Sequence, residues 1–208
     1  MKDNYFTVDI NSIHMNFQTE DGLFSPSGAD RGTLAMLSTV TLNSEDKVLD
    51  LGCGYGLVGI WAAKQVGTGR VVMCDISEEA VNTAKQNAVN NQVEDIRIIQ
   101  CDALEGIPDC DFTKILSNPP YHEDFSVAKH FIEQGWKHLA PDGWIIMVTK
   151  RRDWYYNKIK AVFGGVRVEE IDGYYVFSAQ KRQRKRPVKI NQQIMSKKLQ
   201  RKTKQRRA

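Results

Sequence analysis

The sequence predicts an α/β protein: a doubly wound, mostly parallel sheet of seven strands, with helices on both faces and an antiparallel hairpin at the C-terminal end. Two observations carry that expectation. From residue 47 short β-branched runs alternate with amphipathic stretches at the spacing of right-handed βαβ units, and two later β-rich runs flank the turn signal Asp172-Gly173. No internal repeat interrupts the pattern.

Residues 1–46 are less periodic; Phe24-Ser25-Pro26-Ser27-Gly28 reads as a loop and Asp30 to Thr39 as a helix. Lys47-Val48-Leu49-Asp50-Leu51 is the first strand, and a helix from Leu57 to Gln65 opens just past a group of glycines. Arg70 to Asp75 forms the second strand. In the helix that follows, Ser77 to Asn91, Ser77 can cap the free N–H groups while Glu78 and Glu79 suit the positive end of the helix dipole. Ile96 to Ile99 makes the third strand, Lys114 to Ser117 the fourth, and Ser126 to Leu139 a helix. Pro141-Asp142-Gly143 turns the chain into the fifth strand, Trp144 to Val148. A helix over Asp153 to Phe163 leads to the hairpin strands Val166 to Ile171 and Tyr174 to Phe177. In Rossmann-like sheets of this kind, ligands bind beyond the carboxyl ends of the strands.

A chain of 208 residues, 41% of them hydrophobic, can bury one substantial core. No run approaches the roughly 18 apolar residues of a membrane span, and the opening residues lack the apolar stretch of a secretory signal, so the expectation is a soluble cytoplasmic protein with no membrane partner. Cys53, Cys74, Cys101 and Cys110 include no Cys-x-x-Cys pair, which argues against a zinc site and for small buried thiols in a reducing compartment. The net charge of +4 conceals an asymmetry: residues 181–208 hold 13 of the 29 basic residues and no acid. The remaining 16 face 25 acidic residues, so the body carries −9 and the tail +13. The division expected is a domain over residues 1–180 and a basic tail over 181–208, flexible or partly helical. Blocks of this kind bind nucleic acid or serve as solubilising ends.

The first strand ends in Asp50 and runs into Gly52, Gly54 and Gly56, where the backbone can approach a ligand that any Cβ would meet. The second strand ends in Asp75, whose carboxylate suits a ribose diol. The third is followed by Cys101-Asp102-Ala103, which sets a second acid where an adenine amine could donate. Gly54-Tyr55-Gly56-Leu57-Val58-Gly59 also satisfies the dinucleotide fingerprint, which keeps a nicotinamide cofactor open. An S-adenosylmethionine site uses Asp50, Asp102 and the run Asn118-Pro119-Pro120-Tyr121 as well, and the fingerprint explains none of them.

That run follows the fourth strand directly. The exocyclic amine of a base is a poor nucleophile because its lone pair is delocalised into the ring. The Asn118 side-chain oxygen and the Pro119 carbonyl can accept its two N–H bonds and aim the lone pair. Pro119 and Pro120 have fixed φ and no N–H, so the loop cannot collapse into helix, and Tyr121 can stack on the base. His122 follows the run and could line the pocket but reads first as a solvated loop histidine; His130 and His138 fall on a helix with no partner acid at ligand spacing, and no metal site is expected.

These motifs resemble those of class I S-adenosylmethionine-dependent methyltransferases and, more narrowly, the bacterial small-subunit ribosomal RNA guanine-N2 methyltransferase family. The resemblance runs over about residues 10 to 180. It rests on Gly22-Leu23-Phe24-Ser25 with Asp30-Arg31-Gly32-Thr33, the loop Asp50 to Gly56, Ser117 to His122, and Phe163-Gly164 with Gly173-Tyr174-Tyr175. It implies that Phe24, Ser25 and Thr33 close over the donor and that Gly52, Asp75 and Asp102 bind it, with Asn118 to Tyr121 holding a guanine amine. The full candidate set is Asn118, Pro119, Pro120 and Tyr121 for catalysis. For the donor it is Phe24, Ser25, Thr33, Asp50, Gly52, Cys53, Gly54, Gly56, Asp75, Ile76, Asp102, Ala103 and Asn118. Longer members carry a further N-terminal domain of similar fold, absent from these 208 residues, and many have Phe where Tyr121 stands here. The tail from Lys181, where Ile190, Ile194 and Leu199 fall near one helical face, is a candidate replacement for RNA docking.

The function expected is transfer of a methyl group from S-adenosylmethionine to an exocyclic amine of RNA, foremost guanine N2 of small-subunit ribosomal RNA. Adenine N6 and the side-chain amide of a protein glutamine present the same planar NH2. From another class, a non-catalytic RNA-binding assembly factor would need only the fold and the tail.

Overall fold

A computed structural model describes residues 4–19, 28–102, 104–120 and 125–182. The elements run β1 (Asn4–Ile10), β2 (Ile13–Thr19), α1 (Arg31–Ser38), β3 (Val48–Leu51), α2 (Leu57–Val66), β4 (Val71–Asp75) and α3 (Glu78–Asn90). They continue with β5 (Arg97–Gln100), β6 (Phe112–Ser117), α4 (Phe125–His138), β7 (Leu139–Thr149), α5 (Arg152–Phe163), β8 (Arg167–Ile171) and β9 (Tyr174–Gln180). Seven strands form one sheet in the order β5-β4-β3-β6-β7-β9-β8. The first five are parallel, and β9 runs antiparallel to both β7 and β8.

Strand β3 lies mid-sheet with β4 on one side and β6 on the other, so the chain winds outward in one direction and then returns to build the other half. Ligands bind at such a switch point. All four residues of β3 are buried, as a strand covered on both faces must be. Side chains alternate between two cores. Val71 and Met73 join the one that holds Trp61 and Ile60 of α2, whereas Val72 and Cys74 join the one with Phe131 of α4 and Tyr155 of α5.

Helix starts follow the local chemistry of the sequence. Ser77 accepts the Ala80 N–H at 3.2 Å and Asp30 accepts that of Thr33 at 2.8 Å, each covering a donor that the first helical turn cannot satisfy. The turn Asp172-Gly173 has positive φ at both positions, 51° and 78°, the geometry that joins strands of right-handed twist.

Two features depart from the sequence reading. Strand β7 pairs with β6 from Leu139 onward, bridging the expected turn: Asp142 sits at φ 64°, the register slips, and pairing resumes at Trp144. The N-terminal region, read as less periodic, forms the β1–β2 hairpin, turned by Asn11 and Ser12 at φ 52° and 64°. Asn87 of α3 and Asn91, its C-cap residue one turn later, dock it by imitating a neighbouring strand. Asn91 accepts from Asn16 N and donates to Asn16 O, and Asn87 does the same for Gln18, so a sheet edge is covered by side chains. Asn87 also donates to the Tyr55 carbonyl, which fixes the hairpin to the glycine loop.

Cys53 and Cys74 are buried, Cys101 is partly covered and Cys110 is exposed, so only two match the buried thiols expected. Among the described residues no helix is long and apolar enough to cross a membrane. The tail beyond Arg182, with Ile190, Ile194 and Leu199, lies outside the described residues.

Candidate active site

A cavity of about 520 Å³ opens beyond the carboxyl ends of β3, β4, β5 and β6. It is within the range that encloses a nucleoside-sized ligand. The glycine loop, Asp75, Ile76 and Asp102 form one wall; Thr33, Asn118, Pro120, Val127 and Phe131 contribute to the other.

The loop is held by the chain itself before any ligand enters. Gly52 and Cys53 both donate their N–H to the Cys74 carbonyl at 2.9 Å, which ties the loop to the end of β4. Asp75 accepts from Gly54 N at 2.8 Å through one oxygen and from Ser77 N at 3.0 Å through the other. Each carboxylate oxygen keeps a second lone-pair site. Asp50 is buried and accepts from Gly59 N at 2.8 Å, covering a free donor in the first turn of α2. Burial pushes the Asp50 carboxyl up to about 7, a rise that the Gly59 bond opposes and the Asp75 charge reinforces. Burial likewise pushes the Cys53 thiol well above its ordinary value.

Gly54 and Gly56 both have positive φ, 52° and 96°, yet do different things. Among the described residues, and its chain neighbours aside, a Cβ on Gly54 would meet nothing within 4 Å, whereas one on Gly56 would lie 2.8 Å from Met73 Cε and 3.2 Å from Ala84 Cβ. Gly54 therefore presents bare backbone to open space on the cleft wall, and Gly56 lets α2 pack onto the sheet.

Across the cleft, Ser117 is fully buried and donates to the Leu51 carbonyl at 2.7 Å, locking the end of β6 to the end of β3. The next residue is Asn118. Its Nδ2 donates to Asp30 Oδ2 and to Thr33 Oγ1, both at 2.9 Å. With both donors directed toward α1, the carboxamide orientation is fixed by the network, and among the described residues the buried Oδ1 has no hydrogen-bond partner. An unsatisfied buried acceptor costs about 1–3 kcal/mol, which a protein retains only where something else uses it.

The structure thus brings Thr33, Asp50, Gly52, Cys53, Gly54, Asp75, Ile76, Asp102, Asn118 and Pro120 to one cavity. Gly56 and the buried Pro119 adjoin lining residues in the chain. Ile76 is 65% exposed at the rim, an apolar face open to a flat ring. Phe24, Ser25, Ala103 and Tyr121 lie outside the described residues. Two participants had no assigned role. Asp30 orients Asn118 while capping α1, and Ser117 joins the two motifs. The spacing Asp30-x-x-Thr33 signals the cap but not its partner 88 residues away.

A doubly wound sheet that gathers a glycine loop, acids and a carboxamide oxygen at its central strand ends belongs to the class of Rossmann-like proteins that bind small-molecule ligands at the switch point. The chain belongs to the methyltransferase small domain family, whose sequence model matches residues 14–178. It is similar to ribosomal RNA large subunit methyltransferase G of Alteromonas mediterranea, 30% identical over 74% of this chain and 40% of that protein. Ribosomal RNA small subunit methyltransferase C of Shigella flexneri is 30% identical over 72% of this chain and 44% of its own. The chain therefore spans less than half the length of these RNA methyltransferases. An uncharacterized Bacillus subtilis protein, YbxB, is 29% identical over 79% of this chain and 85% of its own length. In fold, the chain matches a 16S rRNA N2 methyltransferase of T. thermophilus solved with AdoMet and guanosine. The TM-score is 0.80 at 23% identity, over 86% of this chain and 51% of that one.

Proposed function

We propose that the cavity is the catalytic site of an S-adenosylmethionine-dependent N-methyltransferase acting on an exocyclic amine of RNA, with guanine N2 of small-subunit ribosomal RNA the leading target. One observation carries this reading: Asn118 Oδ1, fixed by Asp30 and Thr33 on the cavity wall and without a hydrogen-bond partner among the described residues. A buried acceptor with free capacity suits an N–H donor on the substrate.

The residues present fit the donor. Bare backbone at Gly54, the free lone pairs of Asp75, the carboxylate of Asp102 and the exposed face of Ile76 would hold its polar and planar parts. When bound, S-adenosylmethionine supplies an electrophilic methyl group. Asn118 Oδ1 accepts one N–H of the substrate amine, and the Pro119 carbonyl is the proposed second acceptor. Together they draw the nitrogen out of conjugation and direct its lone pair along the displacement line, so that positioning and electrostatics supply the acceleration. Transfer would form the N–C bond as the donor's sulfur–methyl bond breaks. The nitrogen turns acidic on alkylation, and its proton passes to solvent without a strong base. Residues 1–180 make up the proposed catalytic domain, and the basic tail adds sequence-independent attraction to the phosphate backbone.

The test is transfer of labelled methyl from S-adenosylmethionine to RNA of a strain lacking the protein, with nucleosides resolved by mass spectrometry. N2-methylguanosine is the expected product. N6-methyladenosine would reassign the base, label in protein alone would reassign the substrate to a glutamine amide, and no label in either would leave an RNA-binding assembly factor.

A further inference from the structure

The sheet treats its cations differently at its two ends. Beside the amino ends of the strands, Lys47 pairs with Asp109 and Asp111 at 2.8 and 2.7 Å, and Arg97 pairs with Asp109. At the carboxyl end the exposed run Lys150-Arg151-Arg152 leaves β7. Arg152 pairs with Asp153, but among the described residues neither Lys150 nor Arg151 has a carboxylate partner. Each lies instead over an aromatic ring: Lys150 Nζ is 4.8 Å from the Tyr174 centroid, and the Arg151 guanidinium is 5.1 Å from that of Phe125.

Those rings connect the cations to the acceptor side of the cavity. Tyr174 packs on Gly32, where a Cβ would be 2.7 Å from the ring, and Gly32 sits between Asp30 and Thr33, the two residues that hold Asn118. Phe125 opens α4, whose Val127 and Phe131 line the cavity, and stacks on Trp154 at 4.3 Å. An aromatic face fixes a cation in place while leaving its N–H donors free. In a body of net charge −9, two such preset cations mark a local site for anions.

We propose that Lys150 and Arg151 form a phosphate clamp that grips the RNA strand on either side of the target nucleotide and delivers its base to Asn118. This rests on the RNA methyltransferase reading above. Phosphate contacts set register and orientation, so the clamp adds placement to the general attraction of the tail.

The experiment compares the full-length protein with Lys150→Gln/Arg151→Gln and with the charge-conserving Lys150→Arg/Arg151→Lys, using RNA from the deletion strain. In the neutralised variant KM for RNA should rise roughly tenfold to a hundredfold, and the slope of log affinity against log salt should flatten by about 0.7–0.9 for each phosphate no longer neutralised. Donor affinity and kcat at saturating RNA should stay within a factor of about two or three, the spread expected where the stabilisation of the transition state is untouched. The charge-conserving variant should keep the wild-type slope. If wild type methylates RNA and the neutralised variant keeps both KM and slope, the clamp is overturned and the enzyme reading stands. A loss of thermal stability with an unchanged slope would also overturn it, by giving the two cations a purely structural role. No methyl transfer to RNA by wild type would overturn both.

Discussion

The two walls of the cavity are built on opposite principles. At the ends of β3 and β4 the acids Asp50 and Asp75 are already engaged, by Gly59, Gly54 and Ser77. At the end of β6 the two donors of Asn118 are engaged and its acceptor is left over. The first wall uses its polar groups to preorganise a loop. The second uses them to hold one oxygen, without a partner among the described residues, in a fixed direction.

The comparison breaks most sharply at Asn118. Replacing it with Ala should lower single-turnover methyl transfer about 10²–10³-fold, the usual cost of losing one preorganised polar group at a reacting centre, while donor affinity by calorimetry stays close to wild type. Equal losses in both would merge the two walls into one function. Next in size is Asp30→Ala, which frees the Asn118 carboxamide and removes the α1 cap. It should lower kcat about tenfold to a hundredfold through misplacement and stability by about 1 kcal/mol, with the two measured separately by kinetics and denaturant unfolding.

Asp50 sharpens the contrast through pH. Its folded carboxyl, near 7, lies above the unfolded value of 3.8, so the stability it contributes is fully present below about pH 4 and is lost as pH rises through 7. Asp50→Asn can still accept from Gly59 and carries no charge. The variant should therefore gain on wild type as pH rises from about 4 to 7, by at most about 4 kcal/mol, in urea titrations. A constant difference across that range would remove the buried-charge explanation. The smallest contrast lies within the loop. Gly56→Ala should cost about 1–3 kcal/mol of stability by crowding Met73, whereas Gly54→Ala should cost only about 1–2 kcal/mol of backbone strain and chiefly weaken donor binding.

The parallel core was legible because its strands and helices carry their own periods and caps: Ser77 sits where a cap was expected, and Asp172-Gly173 turns the hairpin. The β1–β2 hairpin was not, although Phe6, Val8 and Ile10 alternate, as do Ile13, Met15 and Phe17. Its turn uses Asn11-Ser12 without a glycine, and Asn87 and Asn91, its docking partners, look like ordinary polar helix residues. At the site the residue types were legible because glycines, acids and Asn-Pro-Pro fall at strand ends. The division of labour was not. That Asp75 spends one lone pair of each oxygen on its own backbone, or that Asp30 and Thr33 orient an asparagine 88 and 85 residues away, is a product of tertiary contact.

The central claim is that Asn118 Oδ1 is the acceptor for a substrate amine. A crystal structure of the protein with S-adenosylhomocysteine and guanosine tests it directly. The predicted result places the exocyclic nitrogen within about 2.7–3.2 Å of that oxygen, with the Asp30 and Thr33 bonds intact. A guanosine seated elsewhere, or an Asn118 turned so that its oxygen bonds to the protein, would contradict it.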